Sequence, residues 1–157
     1  MTTLTAPGVT IAELPPTARV SLRLADPSAI GLPTAVGTRS AEGGRTVLCL
    51  GPDEWLIEAP EAERADLLGD LARISVPHSA VEVSDREITY RLEGPAVLDL
   101  LATGCPRDLA RMPVGSGART IFDTVQVVLT READDRRRAQ RRGCAHRPLP
   151  RPRRMAA

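Results

Sequence analysis

Lysine and asparagine are absent from the 157 residues, and all 21 basic residues are arginine. That bias reads as GC-rich codon usage rather than as selection for guanidinium chemistry. Aromatic residues are nearly missing, with one Trp, one Tyr and one Phe. Trp55 is therefore the largest apolar group available and is expected to anchor a core or a partner surface. Three cysteines, Cys49, Cys105 and Cys144, are far apart and show no CxxC spacing. This argues against a disulfide framework or a cysteine zinc site, and buried apolar cysteine is expected for the first two. No apolar stretch approaches the roughly 20 residues of a membrane span. The first 16 residues lack a basic segment followed by an apolar one, so they do not read as a secretory signal, and a cytoplasmic protein is expected.

Catalytic furniture is equally thin. His78 is the one histidine before the tail, and no nucleophile or carboxylate is fixed near it in sequence, so a solvated loop histidine is expected rather than a general base. Cys144 and His146 supply two ligands, too few for a tetrahedral zinc site. Gly115-Ser116-Gly117 is followed neither by a glycine at dinucleotide spacing nor by a Lys-Ser/Thr pair, and reads as a turn.

What the chain has is an uneven division of charge. The net charge of +1 hides 12 arginines against all 20 acids in residues 1–135, a net of −8, and nine arginines with no acid in residues 136–157. Two parts are expected: a folded domain over 1–135, and an Arg/Pro-rich tail over 136–157 that is disordered or derived from a frameshift near Asp135. Nine charges in the tail could hold phosphate backbones, but stacking aromatics and a folded reader are missing there.

The length suits one ordinary core, or two small lobes sharing one. The organising stretch is LGPDEWLI, residues 50–57. The apolar run Val47 to Leu50, a Gly-Pro-Asp break and a second apolar run predict a hairpin. Residues 2–16 read as a polar, proline-punctuated lead-in. Arg19 to Leu24 alternates as a half-buried strand, with Val20, Leu22 and Leu24 inward and Arg19, Ser21 and Arg23 to the other side. Asp26 to Arg45 reads as a long loop. Pro60 opens a helix with Glu61 and Glu63 in its first turn and an apolar stripe of Leu67, Leu68, Leu71 and Ile74, ending at Val76-Pro77. A strand with Val81 and Val83, a Ser84-Asp85-Arg86 turn and a strand with Ile88, Tyr90 and Leu92 follow. Gly94-Pro95 opens a second helix, Gly104 stands where a C′ glycine would, a helical turn is possible from Pro106, and Arg119 to Thr130 reads as one strand.

This order predicts an α+β fold: a two-layer split β-α-β antiparallel sheet, a ferredoxin-like plait, with helices on one face and extra N-terminal strands. An internal echo links VLCLGPDEWLIE with VVLTREADDRRR, an alternating strand and then a turn holding two acids. After the second copy the expected apolar strand does not arrive.

Read in series, IAELPPTARVSLRL, LGPDEWLIEAP, AVEVSDREIT, LEGPAVLDLLATGCPRDL and MPVGSGART resemble the gamma subunit of heterotetrameric sarcosine oxidase over about residues 9–135. The family is distantly similar to the folate-binding aminomethyltransferase fold. The resemblance implies a non-catalytic assembly subunit of a complex that oxidatively demethylates sarcosine to glycine, with tetrahydrofolate as one-carbon acceptor and hydrogen peroxide as product. It implies no cofactor on this chain. FAD, FMN, NAD and tetrahydrofolate belong to the partner subunits, with alpha and beta bearing flavin and a delta subunit in the same complex. The signature positions, serving the core or a subunit interface, are Pro52, Asp53, Glu54, Trp55, Ser84, Asp85, Arg86, Gly104, Cys105, Pro106, Asp108 and Gly115. A freestanding folate-binding aminomethyltransferase-like protein and a small nucleic-acid-binding module are the alternatives. Relatives continue past the last strand into an apolar strand, an Arg-Ser-Phe-Ala type segment and a helix, where this chain turns arginine-rich.

Overall fold

The computed structural model describes residues 3–142. The described residues form eleven strands, most of them with alternating apolar residues: β1 (Thr3–Ala6), β2 (Val9–Glu13), β3 (Thr17–Leu24), β4 (Arg39–Glu42), β5 (Arg45–Gly51), β6 (Glu54–Pro60), β7 (His78–Glu82), β8 (Glu87–Glu93), β9 (Gly117–Phe122), β10 (Val125–Ala133) and β11 (Arg136–Arg142). Two helices interrupt them, α1 (Arg64–Ala72) after β6 and α2 (Val97–Ala102) after β8.

The strands form two antiparallel sheets. One runs β4-β5-β6-β3-β7 and the other β1-β2-β8-β11-β10-β9. The outer face of the first sheet carries Val20, Leu22, Trp55 and Ile57, which form one core with Leu67 and Leu71 of α1. The outer face of the second carries Leu92, Val127 and Leu129, which cluster with Val97 and Leu101 of α2. The inner faces meet through Leu48, Leu56, Val83 and Val128. The layers therefore run helix, sheet, sheet, helix.

The α+β class stands, but the single-sheet plait does not. β6, α1 and β7 flank β3 within one sheet as a split β-α-β unit, whereas β8 lies in the other sheet. The physical reason is pairing demand. β7 bonds β3, and β8 finds its partners in β2 and β11, so the expected central pair never forms. Each sheet repeats one order, β4-β5-β6-β3 in the first and β9-β10-β11-β8 in the second. The internal echo marks the corresponding hairpins, and both shift register beside the turn, at Cys49/Gly51 and at Arg131/Ala133.

Several local expectations are corrected. The lead-in is the β1–β2 hairpin, and β2 pairs with β8. The loop from Asp26 holds a 3-10 turn (Pro27–Ile30), capped by the Asp26 carboxylate on the Ser28 amide, and then β4. Arg119 to Thr130 is two strands, because Asp123 adopts φ 54° and the chain reverses. α1 stops at Ala72, short of Val76-Pro77, and no helix forms at Pro106. The boundary at residue 135 is also wrong. Arg136 to Arg142 is not tail but β11, an interior strand registered against β8 and β10 through backbone bonds that do not depend on side-chain polarity. The remainder of that segment, with Cys144 and His146, lies outside the described residues.

Candidate functional site

Alternation assigned Arg19, Ser21 and Arg23 to an open face, but a second sheet covers it. Arg19 is consequently among the most buried side chains, and a buried guanidinium needs partners. Its Nε donates to Glu58 Oε1 at 3.1 Å, Nη1 to the Glu87 carbonyl at 3.1 Å, and Nη2 to Thr89 Oγ1. From β11, Gln140 Nε2 donates to the same Glu58 oxygen at 2.5 Å, and Arg138 Nη2 lies 3.6 Å from it. Glu58 is thus the knot of a polar seam between the sheets. Ser84 joins it from the turn, its Oγ accepting from the Arg19 amide at 2.9 Å.

A second knot lies four residues back along β6. Arg119 forks onto Glu54, Nη1 to Oε2 at 2.8 Å and Nη2 to Oε1 at 2.6 Å, and Arg23 Nη2 reaches Oε2 at 3.3 Å. The Glu54 fork holds the Arg119 guanidinium above its ordinary range. A cavity of about 60 Å³ touches Ser21, Glu54, Arg119 and Gln140. Charge-assisted bonds from Arg119 to Glu54, and the Gln140 bond to Glu58, make the seam a clamp between the sheets. Among the described residues, no group of three or more His, Cys, Asp or Glu could hold a metal ion, and no helix is long and apolar enough to cross a membrane.

The signature residues do not converge on one point. Trp55 is 0% exposed, and its indole Nε1 donates to the Pro33 carbonyl at 2.7 Å, which pins the loop before β4 to the core. Pro52 and Asp53 form the exposed hairpin turn, and the Asp53 carboxylate meets Arg23 at 3.1 Å. Ser84 is buried, whereas Asp85 and Arg86 are exposed, Asp85 accepting from Arg64 Nη2 at 3.2 Å. Gly104 does not take the left-handed conformation expected of a C′ glycine. Its constraint is space: an added Cβ would lie 3.0 Å from the Asp123 nitrogen and 3.1 Å from the Phe122 ring. Cys105 is buried in the α2 core, with Sγ 3.7 Å from Thr120 Oγ1. Pro106 is exposed, Asp108 caps the Ala110 and Arg111 amides, and Gly115, at φ 79°, donates to the Arg131 carbonyl at 2.7 Å. His78 begins β7 instead of lying in a loop, its Nδ1 2.9 Å from the Val76 carbonyl.

Arg19, Glu58, Arg119 and Gln140 escaped sequence reading. The available signal was Glu54 and Glu58 flanking apolar residues on one strand, opposite arginines at matching parity on β3.

No model of a known protein family matches the chain. A curated relative, sarcosine oxidase subunit gamma of Corynebacterium sp. (strain U-96), is 33% identical over 141 residues, covering 80% of this chain and 68% of the relative. Proteins of the same name from an Arthrobacter species and from Corynebacterium sp. (strain P-1) are 34% and 38% identical. Those matches cover 66% and 55% of this chain but 53% and 43% of the relatives, so the chain spans about half of their length. Among solved structures, a chain of heterotetrameric sarcosine oxidase from Corynebacterium sp. U-96, in complex with pyrrole 2-carboxylate, superposes with TM-score 0.73 at 31% identity, covering 85% of this chain and 75% of that one. The sequence segments that carry the resemblance and the shared backbone agree, and the chain belongs to the sarcosine oxidase gamma subunit family.

Proposed function

We propose that this chain is an assembly subunit of a heterotetrameric sarcosine oxidase, the complex that demethylates sarcosine to glycine, passes the one-carbon unit to tetrahydrofolate and yields hydrogen peroxide. It docks on alpha and beta subunits that bear the flavins, with delta in the same complex, in the cytoplasm, and donates no catalytic group. The observation that carries this reading is the likeness to a chain of a heterotetrameric sarcosine oxidase over 85% of the length. The site geometry supports it. Arg19 reaches the Glu87 carbonyl and Thr89 of the facing sheet, Glu58 accepts from Gln140 of that sheet and Glu54 from Arg119, while Asp53, Asp85, Arg86 and Asp108 stay at the surface.

The test is reconstitution. The purified chain alone should neither produce peroxide from sarcosine nor bind tetrahydrofolate, and the other subunits should gain activity or lifetime when it is added. Turnover by the isolated chain would overturn the reading, and tetrahydrofolate binding by it would favour the freestanding aminomethyltransferase-like alternative.

A further inference from the structure

One groove, between residues 36–39 and 107–117, brings uncompensated charge and exposed apolar surface together. Its volume is about 440 Å³. The walls are set by backbone bonds: Gly117 N donates to the Gly37 carbonyl at 2.9 Å, Gly115 N to the Arg131 carbonyl at 2.7 Å, and Arg131 N to the Ser116 carbonyl at 2.9 Å. Within it Val36 is 64% exposed and Val114 is 54% exposed. Arg39, Arg107 and Arg111 border it. Arg111 shares the exposed Asp108 carboxylate at 3.5 Å, and among the described residues Arg39 and Arg107 have no ion pair. Three guanidiniums thus face one carboxylate, in a molecule where Arg19, Arg23, Arg45, Arg64 and Arg119 are each tied to acids. Arginine beside apolar surface is the composition of interface cores.

The geometry points to this groove as a docking surface for an extended segment of a partner subunit that carries both carboxylates and apolar side chains. The apolar groups lie on Val36 and Val114, and the carboxylates meet Arg39, Arg107 and Arg111. Charge complementarity selects the occupant, since an acidic segment satisfies three guanidiniums that, among the described residues, Asp108 alone offsets. Nucleic acid fits less well, because no aromatic side chain lines the groove for base stacking. The inference rests on the subunit reading above.

The full chain is co-expressed with the other subunits of the heterotetramer and captured, as wild type and as Arg39→Glu/Arg107→Glu/Arg111→Glu, with melting of each free chain as the check on folding. A second chain carries a photo-crosslinking residue in place of Val114. The expected results are capture of wild type that weakens with salt, capture at least about tenfold weaker for the charge reversal, and a crosslink into an acidic segment of one partner. Wild-type capture that the reversal leaves unchanged, or a crosslink into a basic segment or into nucleic acid, overturns the groove and leaves the subunit reading intact. Failure of wild type itself to be captured overturns both.

Discussion

Arg137 occupies a position that a core would give to an apolar residue. Its register on β11 aims it at the α2 side of the sheet, beside Ala139, which packs on that cluster. It is 1% exposed. Its Nη1 donates to the carbonyls of Ala133, Asp134 and Arg136 at 2.7, 3.1 and 3.2 Å, but Nε and Nη2 have no partner among the described residues. Burial, together with the nearby Arg131 charge, pushes the guanidinium below its ordinary range. For a cation, a lowered value means that the fold disfavours the charged form at every pH where arginine is charged, so the penalty is constant through neutrality. Two buried unpartnered donors cost about 1–3 kcal/mol each. Arg137→Met removes that cost and keeps an unbranched apolar stem. It loses three bonds worth about 0.5–1.5 kcal/mol each, to carbonyls near a hairpin turn whose residues are exposed or half-buried and within reach of water, and it leaves a small cavity. The balance is a gain of about 1 kcal/mol, or roughly 2–4 °C in Tm for a chain of this size. Urea and thermal unfolding followed by circular dichroism read it directly. A loss of more than about 1 kcal/mol would refute the reasoning, because Arg137 would then hold interactions stronger than burial costs it.

Glu58→Ala should destabilise by about 3–5 kcal/mol, since it strands the buried Arg19, and urea denaturation measures the loss. Gly94→Ala should cost about 2 kcal/mol or more, because the residue sits at φ 125° with the Gly8 carbonyl against any added Cβ. Cys49 is fully buried and burial raises its thiol above the ordinary range, so thiol reagents at mildly alkaline pH should label it only as fast as the fold opens. Arg45 holds the Asp70 carboxyl below its usual range. The advantage of wild type over Asp70→Asn should therefore be full above about pH 4 and vanish as pH falls through the lowered value. Translating the gene region in its other two frames tests the expectation of a frameshift near Asp135. An apolar strand with an Arg-Ser-Phe-Ala-like segment in one of them would support a frameshift, and its absence from both would dismiss the idea.

The hairpin at Gly51 to Asp53, the strands β3 and β8 and the stripe of α1 were legible because each gathers apolar residues on one face, and alternation or helical spacing reports one apolar face directly. The layering was not legible. When sheet packs on sheet the second face is buried too, and here it is filled by Arg19, Glu54 and Glu58, charged residues that sequence patterning assigns to solvent. β11 was missed for a related reason. Its side-chain pattern offers Ala139 alone as an apolar contact, and its place comes from two long-range registers, against β8 and β10. Trp55, Gly104 and Cys105 stood out by residue type as well as through the resemblance and Ser84 as part of a turn, and their environments separate them from the exposed Asp53, Asp85, Arg86 and Asp108.

Native mass spectrometry of the co-expressed oxidase tests the assembly role most directly. The account expects a sarcosine-oxidising species whose mass includes this 16.8 kDa chain and which loses activity or integrity when the chain is left out. A fully active, stable oxidase formed without it, with the chain free in solution, would contradict the account.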